Sequence, residues 1–122
     1  MPRVVHFEIN ANDPERASSF YSDVFGWTIT KWEGPMDYWL VMTGPEDEAG
    51  IDGGITRRME PAMTTVNVVS VPSYDEYAAK ILEKGGTEVS PKEALMGVGY
   101  IGYYKDTEDN PFGIIQMDEN AQ

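Results

Sequence analysis

The chain has 122 residues, no cysteine and a formal net charge of −12. The missing thiols exclude disulfides, cysteine nucleophiles and sulfur-ligated metals. The negative field repels phosphate backbones and favours cationic ligands, so nucleic acid is not an expected partner. With 41% apolar residues the chain can build a core. No apolar run reaches the length of a membrane span, and MPRVVHFEIN lacks the form of a secretory leader. A cytoplasmic protein without membrane contact is the expectation.

Arg3–Asn10 alternates. Val5, Phe7 and Ile9 fall on one face; His6, Glu8 and Asn10 fall on the other. This predicts a strand with one core-directed face and one polar face. Asp13 then caps a helix, and Pro14 occupies its first position, where a missing N–H costs nothing. Ala17, Phe20, Tyr21, Val24 and Phe25 recur at helical spacing as one apolar stripe, and Gly26 closes the helix. Trp27–Trp32 is a predicted strand, ended by Gly34-Pro35. Tyr38–Thr43 is another. Gly44–Gly50 is an exposed acidic loop, Ile51–Arg58 a short strand containing Gly53 and Gly54, and Glu60-Pro61 the linker.

The second half starts with the β-branched strand Thr64–Val71. Ser73 and Glu76 form a capping box for a helix whose inner face is Tyr74, Tyr77, Ala78, Ile81 and Leu82. Gly85-Gly86 ends it. Thr87–Ser90 reads as a short strand and Pro91–Val98 as a loop. Gly99–Lys105 and Pro111–Met117 then form a hairpin about the polar turn Asp106–Asn110. Pro111 suits the first residue of its strand, because it donates no amide proton.

Each half thus reads β-α-β-β-β, giving one domain of two modules, residues 1–60 and 61–122. An offset of 60 residues superimposes Asp13 on Ser73, Gly26 on Gly86, Gly53 on Gly113 and Ile55 on Ile115. The paired glycines Gly53 and Gly113 either let a ligand approach backbone or mark bulges.

Three local patterns resemble the glyoxalase/bleomycin-resistance/dioxygenase (vicinal oxygen chelate) superfamily. Asp13-Pro14-Glu15-Arg16 leads to Phe20-Tyr21 and Phe25-Gly26. Ala78-Ala79 and Ile81-Leu82 run into Gly85-Gly86. Asp106-Thr107-Glu108-Asp109-Asn110 is similar to the superfamily's D-P-x-G-N turn, with Thr107 and Asp109 in place of the usual Pro and Gly. The resemblance implies an α+β fold in which two tandem βαβββ modules form a half-open barrel around a cup. Metal-dependent members place a ligand on the first and last strand of each module. The resemblance puts those positions at His6, Gly53, Val66 and Gly113, of which only His6 is a donor. Gln116 is an odd number of residues beyond Gly113 and therefore faces the other way. A divalent site needs three or more protein ligands, so no metal and no cofactor is expected.

His6, the sole histidine, titrates near neutrality and shares its face with Glu8. The expected ligand-binding residues are His6, Glu8, Asn10, Trp39 and Tyr104. The last two come from aromatic strands, holding Tyr38, Tyr100 and Tyr103 as well, that would line or back the cup. An aromatic cup in an acidic protein suits a small organic ligand, cationic or aromatic. The expected function is metal-independent binding of such a ligand, similar to drug-sequestering bleomycin-resistance proteins. The alternative is a glyoxalase-like lyase or isomerase using an unusual metal or an acid–base pair, His6 and Glu8. The dense aromatic group Phe20, Tyr21, Phe25, Trp27 and Trp32, with the resemblance, leads to an expected homodimer.

Overall fold

The computed structural model describes residues 2–34 and 36–122, so Pro35 of the expected Gly34-Pro35 break lies outside the described residues. The elements run β1 (Arg3–Ala11), α1 (Pro14–Phe25), β2 (Thr28–Lys31), β3 (Tyr38–Met42), β4 (Gly53–Arg57), β5 (Thr65–Ser70), α2 (Tyr74–Glu83), β6 (Thr87–Leu95), β7 (Gly99–Lys105) and β8 (Pro111–Met117). The α+β architecture is two βαβββ modules in tandem. No helix among the described residues is long and apolar enough to cross a membrane. The chain divides into two compact units, His6–Val66 and Asn67–Gln122, the latter with the first few residues of the chain.

The first module orders its strands β2-β3-β4-β1. β1 and β4 are parallel, with Glu8 opposite Gly54 and Ile9 opposite Ile55; β3 and β4 are antiparallel, with Tyr38 opposite Thr56. Alternation then sorts the side chains. Trp39, Val41 and Ile55 are almost fully buried and pack with Ala11, Phe7, Ile9, Ala17 and Tyr21 on the face covered by α1. Burial of each large apolar side chain there contributes about 1.5–3 kcal/mol. Asp13 caps α1, its carboxylate accepting from the Arg16 N–H at 3.1 Å, and Gly26 ends it in the left-handed region at φ 72°.

The expected apolar stripe of α1 divides. Ala17 and Tyr21 pack inward, whereas Phe20, Val24 and Phe25 stay 57%, 55% and 58% exposed. The Trp27 indole stacks on Tyr21 at 5.4 Å and on Phe25 at 5.1 Å, filling the space beside the helix.

The second module orders its strands β5-β8-β7-β6 and repeats the scheme. Val71, Tyr74, Tyr104 and Ile114 form its core, joined by Val69, Tyr77, Ala78 and Ile81. Ser73 caps α2 at the Glu76 N–H. The terminal hairpin matches its expected limits, and its turn is built on Asp106. That carboxylate accepts from the N–H groups of Glu108 and Asn110 at 2.8 and 2.9 Å, and Asp109 adopts φ 63°.

Two expectations need correction. β6 does not stop at Ser90; it continues through Pro91 to Leu95. The ladder to β7 slips between Ser90 and Glu93, and β6 is an edge strand, so the N–H that Pro91 lacks is not required. The offset of 60 holds through the first strand and helix, where Glu8 matches Val68 and Asp13 matches Ser73, but not at the last strand. Glu8 lies opposite Gly54 and Val68 opposite Gly113, so Gly54, not Gly53, is the counterpart of Gly113. Ile55 correspondingly matches Ile114, and both are core residues.

Candidate functional site

β1 alternates apolar and polar residues, so its pleat sends Phe7 and Ile9 to the helix side and His6, Glu8 and Asn10 to the opposite face. Tyr38, which begins β3, shares that opposite face. Its ring lies across Gly54, where any Cβ would overlap the tyrosine hydroxyl. A glycine is therefore required at position 54 for Tyr38 to reach β1. The neighbouring Gly53 serves the helix side, where a Cβ would meet Phe7 at 2.5 Å.

The result is a hydrogen-bonded chain. The Tyr38 hydroxyl donates to Glu8 Oε2 at 2.9 Å, and His6 Nε2 lies 2.7 Å from the same hydroxyl. A phenol has one proton. With that proton on the Glu8 side, the network assigns Nε2–H to His6, donating to Tyr38, and leaves Nδ1 as the ring's acceptor. His6 Nε2 and Glu8 Oε2 are 3.9 Å apart, bridged by the phenol. Glu8 is buried, at 5% exposure. Trp32 meets the Tyr38 ring edge-on at a centroid distance of 6.5 Å.

Burial lowers the His6 imidazole from its usual value, against the opposing pull of Glu8 and Asp52. Burial, reinforced by the Glu8 charge and its hydrogen bond, pushes the Tyr38 phenol far up, so it stays protonated. At neutral pH the chain therefore holds a neutral imidazole and a neutral phenol beside Glu8.

The expected site residues separate. His6 and Glu8 come together. Asn10 is buried on the same face, its Nδ2 donating to the Thr64 carbonyl at 2.8 Å. Trp39 is not brought to them: one residue beyond Tyr38, it turns to the helix side and packs with Val41 and Ile55. Tyr104 belongs to the second module's core, where its hydroxyl lies 3.0 Å from that of Tyr74. Gln116 also faces that module's helix, its Oε1 accepting from the Tyr74 N–H at 2.7 Å. Tyr38 is the residue that the choice of Trp39 displaced. The tandem Gly53-Gly54 was its signal, because a glycine in a strand marks close approach.

The donor set does not fit a metal. Of the four positions that the resemblance implied as ligands only His6 carries a donor, and the corrected counterpart, Gly54, is a glycine like Gly53. Among the described residues no three His, Cys, Asp or Glu side chains converge as a metal would require.

Comparison with known proteins supports the fold. Residues 3–44 match the family described as bleomycin resistance protein-like N-terminal. No curated protein sequence matches the chain. A methylmalonyl-CoA epimerase solved with methylmalonyl-CoA and NH4+ superimposes with a TM-score of 0.69 at 15% identity, covering 100% of this chain and 99% of that one. A Streptomyces coelicolor methylmalonyl-CoA epimerase variant in complex with 2-nitronate-propionyl-CoA gives 0.68 at 15% identity, covering 98% and 97%. A hypothetical protein from Bacillus halodurans gives 0.70 at 8% identity, covering 99% and 98%. The match over residues 3–44 supports the resemblance to bleomycin-resistance proteins, and the chain has, over its full length, the fold of these epimerases.

Proposed function

We propose that this protein binds a small organic ligand, without a metal, on the polar face of its first module, at His6, Tyr38 and Glu8. The observation behind this reading is the connected His6–Tyr38–Glu8 chain on a sheet face that its own helix leaves uncovered. A carboxylate and a phenol ring there suit a cationic or aromatic ligand. Asn10 borders the set; Trp39 supports the sheet from behind it. The test is calorimetric titration with a panel of cationic aromatic compounds, bleomycin included, read in parallel by the fluorescence of Trp32. Saturable binding that Glu8→Gln weakens about tenfold supports the reading. Absence of binding across the panel, or binding indifferent to His6, Tyr38 and Glu8, contradicts it.

A second reading rests on the same chain. A proton taken up at His6 Nδ1 releases the one on Nε2 to Tyr38, which passes its own to Glu8. Such a relay suits proton abstraction beside a carbonyl, as in an isomerase, and the epimerase neighbours share the fold. Deuterium exchange into a carbon acid, catalysed by the protein and lost in Tyr38→Phe, would establish it.

The assembly we propose is a homodimer in which a second copy covers Val24 and Phe25, both more than half exposed at the end of α1. Sedimentation equilibrium decides it: a Phe25→Glu substitution should shift the mass to one chain. A wild-type protein that stays at one chain's mass at every concentration contradicts the dimer.

A further inference from the structure

We infer that the first module has a second, separate binding site: an anion cleft on the helix side of β1, built for an aromatic phosphate or carboxylate. It does not rest on the reading given for His6, Tyr38 and Glu8. The cleft, of about 520 Å³, lies among the last residues of β1, the first turns of α1 and the segment that precedes β5. Its lining combines two chemistries. Ile9, Ala17, Phe20 and Tyr21 are apolar or aromatic, and Arg16 and Arg58 are cationic.

In a chain of net charge −12, the ion pairs among the described residues engage His6, Lys31, Arg57, Lys80 and Lys92. Arg16 and Arg58 are in none of them. Arg58 is fixed in place: its backbone N–H donates to Ala11 at 2.9 Å, and its Nη2 donates to the Asn10 carbonyl at 2.9 Å. Its Nε is buried and has no acceptor. A guanidinium has five donors in a rigid fork matched to carboxylate and phosphate oxygens, and here most of that capacity is unspent. Asp13 is the one carboxylate on the lining, and its Oδ1 is engaged by the Arg16 N–H. The half-exposed Phe20 ring, edge-on to Tyr21 at 5.2 Å, offers a flat group a surface beside the cations. An anionic head at the arginines and a planar body against Phe20 satisfy both chemistries.

Amide chemical shifts of the full chain, titrated with phenyl phosphate, benzoate and inorganic phosphate, test this. The expected result is saturable shifts at Asn12, Arg16, Arg58 and Thr65 with phenyl phosphate or benzoate, and several-fold weaker binding of inorganic phosphate. Arg16→Gln and Arg58→Gln should each weaken phenyl phosphate about tenfold. Phe20→Ala should weaken phenyl phosphate and leave inorganic phosphate unchanged. Arg16 is exposed, so its variant decides the matter if Arg58→Gln fails to fold. No saturable shift up to about 10 mM, or affinity unmoved by both arginine variants, overturns the proposal. Inorganic phosphate bound as tightly as phenyl phosphate overturns the aromatic part of it.

Discussion

The two modules build the same sheet face from opposite chemistry. Matched by register, His6, Glu8 and Tyr38 of the first module correspond to Val66, Val68 and Ile101 of the second, and Gly54 corresponds to Gly113. The second module's three residues are apolar and buried, at 1%, 1% and 6% exposure. Its strands hold the same parallel and antiparallel pairing without an imidazole, a phenol or a carboxylate. The backbone scheme therefore does not need the polar set. A buried carboxylate is costly to desolvate, and apolar replacements of similar volume are often neutral or stabilising. What the first module keeps at that cost is a linked proton donor and acceptor, the set on which the proposed ligand binding rests.

The largest effect expected on that contrast is at the matched glycines. Gly54→Ala places a methyl group on the Tyr38 hydroxyl, so the tyrosine must leave; we expect a loss of about 1–3 kcal/mol in urea unfolding and the loss of ligand binding. Gly113→Ala overlaps no atom: its nearest neighbours are the Tyr103 edge at 3.1 Å and Val68 at 3.4 Å, which need give by only a few tenths of an ångström. It should cost less than about 1 kcal/mol. Equal costs at the two positions would break the comparison.

Next is Tyr38→Phe, which keeps the ring and removes the hydroxyl that His6 and Glu8 share. It should destabilise by about 1–2 kcal/mol, because the buried Glu8 carboxylate loses a donor. In the second module Tyr74→Phe deletes a phenol whose pKa is raised by burial and by its Tyr104 bond. There the remaining group is another phenol, and the cost should be smaller.

The pH dependence separates the modules further. His6 has its folded-state pKa below the unfolded value near 6.5. The unfolded chain therefore takes up the proton first as pH falls. Stability should be full above about pH 7, decline as pH drops through 6.5, and level off below the folded-state pKa. Valine stands at the matched position in the second module, so His6→Gln should remove this slope entirely. Imidazole NMR of the sole histidine gives the same pKa independently.

The smallest effect is at the Asp106 turn. Backbone hydrogen bonds from Asn110 and Glu108 hold its carboxyl below the usual range. Its contribution is present above that range and lost as pH falls through the lowered value. Asp106→Asn should blunt the acid limb of the stability profile and leave binding untouched.

Much of this was legible in the sequence, for identifiable reasons. Asp13-Pro14, Ser73 and the turn at Asp106 act locally, through side-chain hydrogen bonds a few residues long, so their spacing alone locates them. Alternation placed His6 and Glu8 together for the same reason. Facing across strands is different. Whether Tyr38 or Trp39 meets Glu8 depends on the register of β3 against β4, and a shift of one residue exchanges them. The counterpart of Gly113 was missed through the same one-residue ambiguity, since Gly53 and Gly54 are adjacent. Tyr104 reads as a cup residue by composition, yet its parity in β7 turns it to α2. Arg58 gave no local signal, because its role depends on Asn10, distant in sequence.

The most direct measurement is on a triple variant, His6→Val, Glu8→Val and Tyr38→Ile, which writes the second module's face onto the first. The account predicts a cooperatively folded protein within about 2 kcal/mol of the parent in urea unfolding, with no measurable ligand binding. A variant that fails to fold, or loses more than about 4 kcal/mol, would show that the polar set holds the module together, contradicting the central claim.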